Sequence, residues 1–237
     1  MLLGSIFESF VNGSPVTVMV RGTFEHALKA EDLDRLFHNI AQRQYTRELL
    51  FSSVVDLMSL VVCRIRRSVH AAYQADPTKI GVTVKALYDK LDHLEPDVCS
   101  ALVKHVADQL ISVLRSMRCG LPKLLPGHRV CILDGNHLAG TEHRLKELRD
   151  LRAGALPGQA LVVLDPEWMI VTDVVCCEDG HAQERALLGQ VLPLVRPRDV
   201  WVGDRNFCTT DFLFGIADRR AFFLIRQHAQ TLHWKKV

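Results

Sequence analysis

The sequence predicts an α/β protein. An all-helical amino-terminal domain (residues 1–118) leads through a linker (119–128) into a mixed-sheet core (129–237). Three observations carry this. Up to Met117, apolar residues recur at three- and four-residue intervals, the period of a helix with one buried face. The stretch "RCGLPKLLPGHR" is then dense in Gly and Pro, which interrupt helices and strands alike. Beyond it come short apolar runs bounded by turn residues, the grammar of strands. With 237 residues, 48% of them apolar, the chain suits one large domain or two small ones with real cores.

Each element follows from its own pattern. "AEDLDRLFHNIAQ" spaces Leu33, Leu36, Phe37 and Ile40 as a helix. Thr46 to Gln74 reads as one long amphipathic helix, with Leu50, Val54, Leu57, Val61 and Ile65 on one stripe. "ADPTKIG" ends it through Pro77 and Gly81. "TVKALYDKLDHL" is a short helix, and Val98 to Met117 a long one. After the linker, "RVCILD" is a buried strand ending at Asp134. "QALVVLD" and "WMIVTDVVCC" are strands split by a turn at Asp165. "AQERALLGQVL" is a helix, "DVWVGD" a strand ending at Asp204, "TTDFLFGIADRR" a helix with Thr209 or Thr210 as its cap, and "AFFLIR" a last strand. Three strands followed by alternating helices and strands is the order of the ribonuclease-H-like fold; a doubly wound sheet would alternate from the start. In that order the first and fourth strands are neighbours at the centre of the sheet.

Composition bounds the rest. A net charge of +2 neither demands nor excludes a nucleic-acid partner. The seven cysteines form no CxxC pair, so they read as reduced thiols used as small apolar side chains, with the Cys176–Cys177 pair facing opposite sides of a strand. "MLLGSIFESFV" lacks a basic leader and carries Glu8, and the most apolar window, "LLFSSVVDLMSLVVC", is short for a span and holds Asp56. A cytoplasmic protein with no membrane partner is expected.

The chemistry concentrates where "CILDGN" and "WVGDRN" end two adjacent strands. Two carboxylates brought together repel unless one takes a proton. A hard cation removes that conflict: Mg²⁺ or Mn²⁺ prefers oxygen ligands, and such ions serve phosphoryl transfer. Either aspartate alone would equally serve as a turn residue or helix cap.

The chain resembles a DDE transposase of the insertion-sequence-four type, an enzyme of bacterial insertion elements with a ribonuclease-H-like core. The resemblance rests on "ILDGNHLAGTEHRLKELR", "DGHAQERALL", "VGDRNFCTTDFL" and "AFFLIRQH", and in the amino-terminal half on "QYTRELLFSSVVDLMSLVVCRIRRSVHAAYQ" and "VTVKALYDKLDHLEPDVCSALV". It implies metal-dependent cleavage of double-stranded DNA at element ends and transfer to a target. Asp134 and Asp204 carry over as catalytic residues and as ligands of Mg²⁺ or Mn²⁺. It also implies association as a homodimer or with a full-length copy. The family's third acid is a Glu after the second Asp, in a Tyr/Arg/Glu/Lys pattern. Here the residues after Asp204 include Asp211 and Asp218 but no Glu. A core truncated before the third acid, with impaired activity, is therefore expected.

Other residues take subsidiary roles. Arg205 and Asn206 are candidate contacts to the DNA backbone, Arg205 alternatively a partner of Asp204. The "CRIRR" cluster (Arg64, Arg66, Arg67), placed on a long helix, joins Lys79 and Lys85 as candidate phosphate contacts. Tyr88 and Lys90 share the helix of Lys85 and would face DNA with it if that helix belongs to a helix-turn-helix-like unit. Arg226, Lys235 and Lys236 would line a channel. His137 reads as a loop histidine and His181 as structural. Two other functions compete. One is a non-catalytic DNA-binding remnant that inhibits a full-length copy. The other is a phosphohydrolase with Asp134 as nucleophile, which wants a second Asp where this chain has Asn136.

Overall fold

The structure, a computed structural model, describes residues 13–43, 48–137, 159–177 and 182–227. The described helices ahead of the sheet are α1 (Pro15–Ala27), α2 (Ala30–Ile40), α3 (Phe51–Val62), α4 (Val69–Ala75), α5 (Pro77–Ile80), α6 (Val84–Asp92) and α7 (Pro96–Ser116). Two of their starts are fixed by side-chain caps. Ser68 accepts the Ala71 N–H at the head of α4, and Thr83 accepts the Ala86 N–H at the head of α6. Pro96 opens α7, where its missing N–H costs nothing. Among the described residues, no helix is long and apolar enough to cross a membrane.

The helices bury two small cores, and α3 serves both. Phe51 and Val55 pack with Leu33, Phe37 and Val98, the Phe37 and Phe51 rings stacking at 5.1 Å. Val54 and Leu57 pack with Leu49, Ala72 and Leu87. This double duty corrects the expectation of one long helix from Thr46 to Gln74. Arg64 takes a left-handed φ of 58° after α3, and the chain reverses so that Ala72 of α4 reaches the same core as Val54. The predicted stripe is right at Val54 and Leu57 but not at its ends. Leu50 is 42% exposed and Ile65 62%.

The strands are β1 (Arg129–His137), β2 (Gln159–Asp165), β3 (Ile170–Cys177), β4 (Asp199–Gly203) and β5 (Phe222–Ile225). They form a mixed sheet in the order β3-β2-β1-β4-β5. β1 pairs antiparallel with β2, and β2 with β3, across a register shift between Val163 and Leu164. β1 runs parallel to β4, and β4 to β5. The first and fourth strands are thus central neighbours, as the element order predicts. β1 continues three residues past Asp134, because its pairing with β2 holds from Asp134 opposite Val162 to His137 opposite Gln159.

Alternation along the strands sends Cys131, Leu133, Leu161, Val163, Val175 and Trp201 to one face. There they meet Leu187, Leu188 and Val191 and two residues of α9 (Thr210–Asp218), Phe212 and Ile216. The segment before β4 departs from the single helix expected of "AQERALLGQVL". One α-turn, α8 (Leu188–Val191), is flanked by 3₁₀ segments at Glu184–Leu187 and Leu192–Leu194. Pro193 has no N–H to extend the α-helical ladder. α7 lies along β3, where Lys104 pairs with Asp173 at 3.3 Å and Ser100 approaches the Cys176 sulfur at 3.9 Å. Cys177 packs instead against the main core, so the cysteine pair does divide between two faces. None of the seven cysteines is in a disulfide, and burial pushes the Cys131 thiol up to about 12.

The amino-terminal ends of β1 and β4 are locked by charge. Arg129 Nε and Nη2 donate to the two oxygens of Asp199, at 3.0 and 2.6 Å. The Arg196 N–H also donates to Asp199. Burial alone pulls the Arg129 pKa down, yet the hydrogen bonds to Asp199 and the surrounding charges hold it above its ordinary value. Asp199→Ala leaves this guanidinium half-buried and unpaired. A loss of about 3 kcal/mol in urea-denaturation stability is expected. A loss under about 0.5 kcal/mol, the range of an ordinary surface substitution, would show that the pair does not lock the strands.

Candidate functional site

The site predicted from sequence lies at the opposite, carboxyl-terminal ends of the parallel strands. Pairing between β1 and β4 matches Arg129 with Asp199 through Ile132 with Val202, a constant offset of 70 residue numbers. Asp134 and Asp204 also differ by 70, so continuing the register sets them level. Pairing of β4 with β5 matches Gly203 with Ile225, and the next position brings Arg226 level with Asp204. Asp134 in β1, Asp204 just past β4 and Arg226 just past β5 are thus level when these registers are continued, and all three are exposed.

Local backbone geometry fixes each carboxylate. Asp204 keeps extended backbone (φ −76°, ψ 177°) and caps a 3₁₀ turn, Arg205–Phe207. Its Oδ1 accepts the Asn206 N–H at 2.7 Å. Asp134 Oδ1 accepts the N–H of Gly135 at 2.9 Å. Among the described residues, neither Oδ2 has a partner. The turn is anchored by Phe207, which is buried in the main core. Its ring lies 3.0 Å from where a Cβ on Gly203 would sit. Glycine at 203 thus lets the anchor close directly beneath Asp204.

The surroundings hold two side chains that the sequence did not flag. Glu184 Oε2 accepts the Asn206 side-chain amide at 2.5 Å. Arg185 Nε donates to the Asn206 backbone carbonyl at 2.8 Å and to its Oδ1 at 3.1 Å. Asn206, read from sequence as a DNA contact, thus has both ends of its amide engaged. Glu184 also fills the space of an absent side chain at Gly135, its Oε1 lying 1.9 Å from where that Cβ would be. Glu184 and Arg185 stand in "AQERALL", where the apolar spacing signals only a helix. The one available hint was a glycine inside a strand next to the first aspartate, which marks close approach.

The other predicted residues are dispersed. Arg64, Arg66 and Arg67 are exposed on the turn between α3 and α4, which corrects their placement on a long helix. Lys85 and Tyr88 are exposed on α6. Lys90 is not aligned with them as expected. Its ammonium sits over the Phe37 ring at 4.0 Å, with its pKa lowered by burial. Arg205 is exposed in the Asp204 turn. Asp211 and Asp218 lie at the two ends of α9. His181, Lys235, Lys236 and the side chains of Lys79 and His137 lie outside the described residues.

Asp134 and Asp204 offer hard oxygen donors at the carboxyl-terminal ends of the two central strands, a donor chemistry suited to a Mg²⁺-like cation. Among the described residues, no group of three or more His, Cys, Asp or Glu side chains is gathered for a metal. No protein-family model, curated protein or solved structure matches the chain.

Gly203→Ala tests the anchor. The new methyl meets Phe207 Cδ2 at 3.0 Å, and the ring is held by the core. Destabilisation of about 1–3 kcal/mol by thermal or urea melting is expected. An unchanged midpoint would mean that the turn tolerates displacement of Phe207.

Proposed function

We propose that this chain is a DNA-cleaving and strand-transferring protein of the insertion-sequence-four transposase type, or a remnant of one, with Asp134 and Asp204 as its metal-binding carboxylates. The observation that carries this reading is the parallel pairing of β1 with β4, whose register, continued past Ile132 and Val202, sets the two aspartates level. The strand order β3-β2-β1-β4-β5, antiparallel on one side of β1 and parallel on the other, accords with a ribonuclease-H-like core. It supports the reading, as does the exposure of both carboxylates.

Bound Mg²⁺ or Mn²⁺ would supply Lewis-acid stabilisation of charge at the scissile phosphate. The rest falls to the chain. Asp134 and Asp204 would hold the cation. Arg205 and Arg226, exposed at the same end of the parallel strands, would neutralise DNA phosphates. Arg64, Arg66, Arg67 and Lys85 add sequence-independent attraction to the backbone. With two carboxylates rather than three among the described residues, slow cleavage is expected. The second reading is a DNA-binding protein without cleavage that interferes with a full-length copy. A cytoplasmic location and self-association accord with either.

Two measurements test this. The full chain is incubated with Mn²⁺ and supercoiled plasmid carrying the genomic DNA that flanks its coding sequence. Nicking is expected, falling at least about 100-fold in Asp134→Ala and Asp204→Ala; nicking that survives both substitutions contradicts the assignment. In gel shifts, the triple variant Arg64→Ala/Arg66→Ala/Arg67→Ala should weaken binding to all sequences alike. The slope of its salt dependence should be shallower by about 0.9 for each phosphate that the variant no longer neutralises. Binding without nicking selects the non-catalytic reading, and neither binding nor nicking removes DNA as the partner.

A further inference from the structure

Glu184 is a carboxylate that no sequence pattern singles out, and its placement is specific. It meets Gly135, the residue after Asp134, and Asn206, two residues after Asp204. It thus spans the ends of the two central strands. Its approach to Gly135 is possible only because that residue has no side chain, since a Cβ there would lie 1.9 Å from Glu184 Oε1 and 2.5 Å from its Cδ.

Strand geometry says what Glu184 does there. Successive residues of β1 face opposite sides. Gly135 stands opposite Leu161, which is fully buried in the main core, whereas Asp134 stands opposite Val162. Glu184 therefore rests against the core face of β1, and the Asp134 side chain leaves from the other face. A group so placed reaches the aspartates through an intermediary, which is Asn206. Its side-chain amide donates to Glu184, and its backbone N–H donates to Asp204 Oδ1. Arg185 closes the arrangement by donating to both the carbonyl and the Oδ1 of Asn206.

We propose that Glu184 is a positioning residue for the Asp134–Asp204 pair: seated on Gly135, it holds Asn206, and through it the rotamer of Asp204, whose Oδ1 is tied down by the Asn206 N–H. The inference rests on the proposed metal role of the two aspartates. Partners of this kind orient metal ligands without touching the metal, and removing them weakens metal binding. Glu184→Gln retains an oxygen that accepts from Asn206; Glu184→Ala does not. Gly135→Ala displaces Glu184 while leaving its chemistry intact.

The test uses the full chain and two readouts. Amide hydrogen exchange at Asn206 reports the turn whether or not metal binds. Mn²⁺ titration, followed by paramagnetic resonance, reports the aspartate pair. Glu184→Ala and Gly135→Ala should both speed Asn206 exchange and weaken Mn²⁺ binding by about tenfold, while Glu184→Gln stays within about threefold of wild type. Circular dichroism and melting confirm that each variant is folded. Unchanged exchange in both Glu184→Ala and Gly135→Ala overturns the proposal. So does a folded Glu184→Gln that binds Mn²⁺ as poorly as Glu184→Ala, since that makes the charge a ligand and not a strut. If wild type binds no Mn²⁺ yet Glu184→Ala still speeds exchange, the metal reading of the aspartates fails and the positioning of the turn stands.

Discussion

The parallel pairing of β1 with β4 is the constraint on which the rest of the sheet depends. β2 and β3 return antiparallel on one side of β1, so the central position beside β1 is left for a strand that arrives much later in the chain. Trp201, 1% exposed, stands at the middle of β4 and brings that strand into register with Cys131. Burial of this large ring with Leu133, Leu161 and Phe212 specifies the register strongly, because a one-residue slip would turn it to the other face. Once the register is set, the two strand ends are determined together.

Those ends are electrostatic opposites. At the amino-terminal end, the residues facing each other are Arg129 and Asp199, tied by two hydrogen bonds, with Asp199 3% exposed. At the carboxyl-terminal end, the same offset aligns Asp134 with Asp204, two like charges left exposed. Stability gains nothing from that juxtaposition, and the same fold shows a few residues away how a stabilising pair is built. The contrast marks the carboxyl-terminal end as the candidate site, since local inconsistencies of this kind are expected at functional positions.

Much of this was legible in the chain. Short apolar runs ending in Asp marked the strands, and their order marked the neighbours, because strand alternation and turn chemistry are local properties. What was not legible depends on contacts between distant segments. The break between α3 and α4 has no Gly or Pro to announce it; Arg64 adopts a left-handed backbone so that Ala72 and Leu57 share a core. Lys90 looked like a surface cation in its helix and is drawn onto Phe37 from another. Glu184 looked like one polar residue in an amphipathic run. Its approach to Gly135 and Asn206 arises only after β1, β4 and the segment before β4 have assembled. For the candidate site, sequence pointed to two aspartates after neighbouring strands, while the side chains around the second of them emerged from the fold.

Whether Asp134 and Asp204 together form one cation site decides everything built on them. Paramagnetic broadening by substoichiometric Mn²⁺ in an amide-resolved NMR spectrum of the full chain answers this, because it locates the ion without requiring DNA or turnover. The amides of Gly135 and Arg205 should vanish first, while those of Arg129 and Asp199, at the far end of the same strands, stay sharp. Broadening centred elsewhere, as around Asp165 and Asp173, or none at all, would refute a shared site.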